Sequence, residues 1–334
     1  MQCAHKFIDL RKDNHYKGIF LGTIIGIISG ILWGLNDVLT NIYSEHALFS
    51  NTTFTVLVFA LVLSLLQDGF SCIGIYTYHQ LKGSFRNNIA KTEPNSFWPL
   101  IIAAICAGPL GMAAGIMGIT YAGPIYAGVI TSCYPVVTLL LAMIFLREQP
   151  TKIKITGVII SVIAVMFISI SGIRSSAEHT IIGLIFASCA MLGWGAESIL
   201  FSIAQRSSTQ DVSWLLAIRQ SVSALSYLII LSLLLLVNYP KTWLVINQLF
   251  LPLLIAGCVL SASTSYLAYY HAIKRIGASL GTTFNASFIF WAGVFSIIFN
   301  ITDIKKSFIL WSILLVTGIY FASKGNRKYS KVAY

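Results

Sequence analysis

Long apolar runs, broken by short clusters of charge, glycine and proline, set the pattern of the whole chain. A helix needs about 20 mostly apolar residues to cross the hydrocarbon core of a bilayer. On that spacing ten spans are predicted, over residues 18–43, 52–79, 97–119, 122–146, 155–172, 180–204, 211–237, 247–272, 276–300 and 307–323. Most breaks carry turn or charged residues, such as Arg147-Glu148-Gln149-Pro150, Asn238-Tyr239-Pro240-Lys241 and Thr302-Asp303 ahead of Lys305. The third and fourth spans are separated only by Thr120-Tyr121-Ala122-Gly123-Pro124, where glycine and proline punctuate the pattern.

Composition agrees with a lipid environment. The chain is 57% hydrophobic and 10% charged, whereas a soluble domain carries about 25% charge. So little charge cannot cover a water-facing surface of this size. The net charge of +11 is read as loops facing anionic lipid, not as a nucleic-acid interface. The first apolar run is too long for a cleaved signal peptide and lacks an A-x-A site, so it is expected to stay as a helix. The cysteines form no C-x-x-C pair, and five of the six lie in apolar stretches as small hydrophobes. Neither G-x-x-x-x-G-K-[ST] nor H-E-x-x-H occurs, and the histidines show no ligand spacing. No metal, cofactor or catalytic constellation is therefore expected.

Charge also sets orientation. The N-terminus, the loops near 80–96, 147–154, 205–210 and 273–275, and the C-terminus together hold 17 Lys and Arg, against 4 on the opposite side. The basic side is cytoplasmic, which places both termini inside. An internal repeat sets the architecture. Gly30-Ile31-Leu32-Trp33-Gly34-Leu35-Asn36 parallels Met191-Leu192-Gly193-Trp194-Gly195-Ala196-Glu197 once the tryptophans are aligned. More weakly, Tyr121-Ala122-Gly123 parallels Arg275-Ile276-Gly277. With five helices per copy, the second copy enters from the opposite face, an inverted repeat with its site near the midplane. The expected fold is an all-α membrane protein of ten transmembrane helices in two inverted fives. It comprises a cytoplasmic segment 1–17, a first repeat 18–172, a second repeat 180–323 and a cytoplasmic tail 324–334.

The 5+5 arrangement with a Trp-Gly pair in spans 1 and 6 resembles the drug/metabolite transporter superfamily, EamA type. More narrowly, several stretches resemble the LicB-type choline transporters of that superfamily. They are Gly108-Pro109-Leu110-Gly111-Met112, Trp194-Gly195-Ala196-Glu197-Ser198-Ile199-Leu200, Ile218-Arg219-Gln220 with Leu225-Ser226-Tyr227-Leu228, Ser265-Tyr266-Leu267-Ala268-Tyr269-Tyr270, and Asn285-Ala286-Ser287 with Trp291. The likeness covers about residues 18–323, and the N-terminal 17 residues and the loop near 80–96 are longer than its pattern. It implies a bacterial inner-membrane transporter of a small organic cation, choline foremost, working by alternating access. An EamA-type exporter of amino acids or hydrophobic metabolites is the alternative. The partners implied are the cation, membrane lipid and protons as a coupling ion.

A quaternary ammonium donates no conventional hydrogen bond and is held by aromatic faces, each worth about 0.5–2 kcal/mol. Trp33 lies about 22 Å from the cytoplasmic start of span 1, and Trp194 about 15 Å from the cytoplasmic end of span 6, at 1.5 Å per residue. Tryptophan normally prefers the interfaces, so two midplane tryptophans at equivalent repeat positions mark either a site or bulky packing. Tyr266, Tyr269 and Tyr270 share a helix face. Tyr266 is the deepest and is preferred for the cage. Tyr270 is kept with it, although Tyr269 and Tyr270 also fit an interfacial anchor. Asn285 either binds the substrate hydroxyl or joins helices, and Trp291 lies further out. Glu197, one turn from Trp194, is a carboxyl inside a span, which costs about 2.5–3.5 kcal/mol and marks function by default. It either meets the cation, forms a buried ion pair with Arg219 at similar depth, or carries a proton. Asn36 is its uncharged repeat equivalent. Asp68 is expected to be hydrated toward the cytoplasm, and Asp37 to be near the outer interface. Gly22, Gly26, Gly30 and Gly34 form a ridge suited to close helix packing.

Overall fold

A computed structural model describes residues 2–47, 52–131, 133–171, 180–301 and 306–326. Among them the ordered backbone is helical, with no strand. The elements are α1 (Gln2–Ala47), α2 (Thr53–Leu81), α3 (Phe85–Ala90), α4 (Pro94–Ala107), a π-helical segment (Gly108–Ala113), α5 (Ala114–Thr131), α6 (Tyr134–Phe145), α7 (Lys152–Ser171), α8 (Thr180–Arg206), α9 (Val212–Gln248), α10 (Pro252–Ile276), α11 (Ala278–Asn285), α12 (Phe288–Ile298) and α13 (Lys306–Asn326). Among the described residues, seven helical stretches are long and apolar enough to cross a membrane: Gly18–His46, Phe54–Leu81, Pro94–Gly118, Ile181–Arg206, Val212–Asn238, Pro252–Ile276 and Ala278–Ile298. Tyr134–Phe145 and Lys306–Ala322 are shorter apolar helices.

Local chemistry explains most of the boundaries. The Thr52 hydroxyl accepts from the Thr55 amide and caps α2. Prolines stand in the first turns of α4, α6 and α10, where their missing N–H is no loss. Gly277, at φ +83°, separates α10 from α11. Asn238 leaves helical geometry just ahead of Pro240, so α9 is kinked where the sequence marks the end of a span. One expected boundary moves. The backbone stays helical from Ala114 to Thr131, so Thr120–Pro124 does not divide the third span from the fourth. A new helix starts instead at Tyr134-Pro135, after Cys133. Helix also reaches back to Gln2, into the expected N-terminal segment.

Hydrophobicity does not drive one helix onto another in lipid, so close contact of small residues carries the assembly. α1 packs on α10, α11 and α12, α2 on α9, α8 on α4 and α5, and α7 on α13. The α1 ridge is such a contact. A Cβ on Gly26 would lie 2.9 Å from the Phe284 Cβ, and one on Gly34 2.6 Å from the Phe288 carbonyl oxygen. The α7–α13 approach is tighter, since a Cβ on Gly157 would lie 2.1 Å from the Ala322 nitrogen. At the basic end, His79 joins Ser84 (2.8 Å) to Ser213 (3.0 Å), and the Gln210 amide donates to the Asn88 carbonyl (2.5 Å). These bonds pin α3 against the start of α9.

Candidate substrate site between the repeats

The largest buried apolar cluster runs through Trp33, Tyr134, Tyr266, Tyr269, Tyr270 and Phe288. Within it lies a cavity of about 30 Å³ lined by Trp33, Tyr134, Trp194, Glu197, Ser265, Tyr266, Tyr269, Asn285 and Phe288. Five of the residues expected from sequence thus meet in one place: Trp33, Trp194, Glu197, Tyr266 and Asn285. The repeat-related tryptophans touch edge to face, with ring centroids 6.4 Å apart. Trp33 makes a second edge-to-face contact with Tyr266 at 5.1 Å, and Trp194 one with Tyr134 at 6.1 Å.

The seat of Trp194 is built by the π segment. Pro109 has no N–H to give the regular ladder, and the turn widens there. A Cβ on Gly111 would stand 2.5 Å from Trp194 Nε1, and one on Gly115 3.2 Å from its ring. At Gly111 a side chain would collide with the indole, and at Gly115 it would press on the ring.

Glu197 is 2% exposed, and its Oε1 has no hydrogen-bond partner among the described residues. The carboxyl is therefore buried beside rings with acceptor capacity in hand. Arg219 is not its ion partner. The Arg219 guanidinium donates from Nη1 to both oxygens of Asp68, at 3.2 and 3.0 Å, and Gln220 Nε2 donates to Asp68 Oδ1 at 3.2 Å. Both charged side chains are 0% exposed. This removes the Arg219 alternative for Glu197 and corrects the expectation for Asp68. Asp68 faces the bundle interior and is not hydrated, because α2 packs along α9 and presents it to Arg219. The same guanidinium lies 4.4 Å from the Tyr266 ring centroid and donates to the Tyr270 hydroxyl.

The remaining expected residues have other surroundings. Tyr270 stacks on Phe201, with ring centroids 3.8 Å apart, behind the cavity wall. Asn285 accepts from the Tyr134 hydroxyl (2.8 Å) and donates to Ser29 (2.6 Å), so both ends of its amide join helices. Asn36 accepts from Gln67 Nε2 at 2.8 Å and from Ser261 at 3.4 Å. Trp291 sits against Phe290 and the Gly34 stretch of α1, outside the cavity lining. Tyr134, Ser265 and Phe288 line the cavity without having been expected there, and Tyr269, left open between cage and interfacial anchor, lines it too. Tyr269 is fixed by a 2.7 Å bond between its hydroxyl and that of Ser198.

A second cavity, of about 60 Å³, is lined by Trp33 and Trp194 and by α1 residues from Asn36 to Ser44. Trp33 and Trp194 line both cavities and so form the partition between them. At the opposite, basic end, Glu148 accepts from Lys154 (3.3 Å) and Ser279 (3.3 Å) and pairs with Arg206 (3.8 Å). That cluster joins the loop after α6 to the end of α8 and the start of α11.

Residues 20–170 match the EamA-like transporter family. Protein LicB of Haemophilus influenzae is 28% identical over 311 residues, spanning 92% of this chain and 99% of that protein. A solved crystal structure superposes with a TM-score of 0.66 at 14% identity, covering 92% of this chain and 99% of that one. It supports the fold alone.

Proposed function

We propose that this chain, whose residues 20–170 match the EamA-like transporter family, is a membrane transporter whose cargo is a small organic cation, choline foremost. The observation that carries this reading is the ring cluster of Trp33, Tyr134, Trp194, Tyr266 and Tyr269 around the unpartnered carboxyl oxygen of Glu197. Aromatic faces hold a quaternary ammonium without needing a donor from it. Glu197, 2% exposed, supplies the opposite charge from inside the bundle. The Asp68–Arg219 pair is internally neutral, so it leaves that charge uncancelled. Protons as a coupling ion act through the same carboxyl.

The membrane frame is ten spans in two inverted fives, 18–172 and 180–323, flanked by 1–17 and 324–334. Both basic termini face the cytoplasm of a bacterial inner membrane. In that frame the cavity along Asn36–Ser44 faces outward, and the Glu148 cluster closes the cytoplasmic end. A single water needs about 10–15 Å³, so the inner cavity of about 30 Å³ has room for water and not for a seven-heavy-atom cation. Trp194, half-buried between the two cavities, has to swing for cargo to enter. Alternating access then consists of opening this partition and releasing the Glu148 cluster in turn. Inward movement of one positive charge gains about 2.3 kcal/mol per 100 mV. That is about 40-fold accumulation at about 1.4 kcal/mol per decade.

The test is uptake of labelled choline into proteoliposomes, against betaine, ethanolamine and aromatic amino acids, with and without an imposed potential. Choline uptake that rises with an inside-negative potential supports the reading. Export of amino acids with no choline uptake contradicts it and favours the exporter alternative.

A further inference from the structure

We infer that the outer cavity is a second cation site, centred on Asp37, where cargo binds before it passes the Trp33–Trp194 partition. This rests on the transport reading above. The cavity holds about 60 Å³, twice the inner one, and its walls include Trp33, Asp37, Phe59, Gln67 and Trp194. Asp37 belongs to none of the ion pairs among the described residues, which are Lys154–Glu148, Arg206–Glu148 and Arg219–Asp68.

Gln67 adds an independent observation. It is 2% exposed, its Nε2 is committed to Asn36 Oδ1, and its Oε1 has no partner among the described residues. Gln67 Nε2 also lies 3.5 Å from the Cys258 carbonyl oxygen, which can only accept, so the nitrogen belongs on that side and Oε1 is the free acceptor. The lining thus includes a residue with a free buried carbonyl oxygen, a carboxyl and two tryptophans. Acceptors and ring faces without a resident cation suit a positively charged organic group. They would repel an anion. The two sites are related through one pair of rings, so a single swing of Trp194 transfers the cation from Asp37 toward Glu197.

Equilibrium binding of labelled choline to the purified protein tests this. The expected result is two cholines per chain, falling to one in Asp37→Asn and to one in Glu197→Gln. A second readout uses Ser44→Cys, whose position lines the outer cavity, and a membrane-impermeant maleimide added outside. With Glu197→Gln in place, choline at ten times its Kd should slow labelling about tenfold. Adding Asp37→Asn should remove that protection, and Asp37→Glu should keep it. One choline per chain in the parent, lost with Glu197→Gln and with no protection of Ser44→Cys, overturns the outer site and leaves the transport reading standing. A parent protein that binds no choline overturns the transport reading itself.

Discussion

Replacing Asp68 by asparagine keeps the shape of the side chain and removes its charge. The carboxylate accepts two bonds from Arg219 and one from Gln220, and neither ion has any contact with solvent. Asparagine would leave the guanidinium buried without a counter-charge. Breaking one side of a buried pair costs about 3–5 kcal/mol. Arg219 keeps its place 4.4 Å over the Tyr266 ring, a contact worth up to about 2 kcal/mol when desolvated. The loss should therefore fall near the lower end, about 3 kcal/mol, or roughly 150-fold in the folding equilibrium. Unfolding in detergent by heat or denaturant reads it directly. The double variant Asp68→Leu/Arg219→Met should recover most of the loss, because no lone charge remains. Glu197→Gln should cost no comparable stability, because Oε1 of Glu197 has no partner to lose. Asp68→Asn with parental stability, or a double-mutant cycle coupling Arg219 to Glu197 more strongly than to Asp68, would refute the assignment of the pair.

Other outcomes follow from the same contacts. Trp33→Ala should weaken choline binding about 2- to 30-fold, the value of one ring face, while Trp33→Phe retains most of it in the same titration. Gly111→Ala should displace Trp194, whose Nε1 would lie 2.5 Å from the new Cβ, and should lower uptake with little change in expression. Gly157→Ala should sharply reduce thermal stability, because its Cβ would meet the Ala322 nitrogen at 2.1 Å. Gly69→Ala, with nothing within 4 Å, should be neutral or stabilising by about 0.5–1 kcal/mol. Glu148→Gln should loosen the cytoplasmic cluster and raise maleimide labelling of Thr283→Cys, a buried position one turn into α11 from Ser279, in inside-out vesicles about two- to fivefold, as expected for a partly exposed pair.

Much of the candidate site was legible in the sequence because it breaks the habits of membrane helices. Trp33, Trp194 and Glu197 are residue types that avoid the midplane unless something holds them there, and counting residues along a helix gives their depth. Depth alone cannot choose partners around the bundle. Arg219, Asp68 and Glu197 all sit in spans, and only the packing of α2 along α9 decides which carboxyl meets the guanidinium. Tyr134 was hidden for a different reason. It stands next to Pro135 at a helix start, where proline reads as a bend, and its ring reaches Trp194 only through tertiary packing. Tyr269 lies near Lys274 and Arg275 and so resembles an interfacial anchor, yet its hydroxyl binds Ser198 inside the bundle. The boundary at Thr120–Pro124 failed because glycine and proline permit a break without requiring one, and the backbone there remains helical.

The central claim is that rings and one carboxyl at the repeat interface hold an organic cation. Titration of the purified protein with labelled choline, in parallel with Trp194→Ala and Glu197→Gln, tests it most directly. Saturable binding by the parent at or below millimolar choline, weakened in both variants while betaine fails to compete, is the expected result. No binding at millimolar choline, or equal binding by all three proteins, would contradict it.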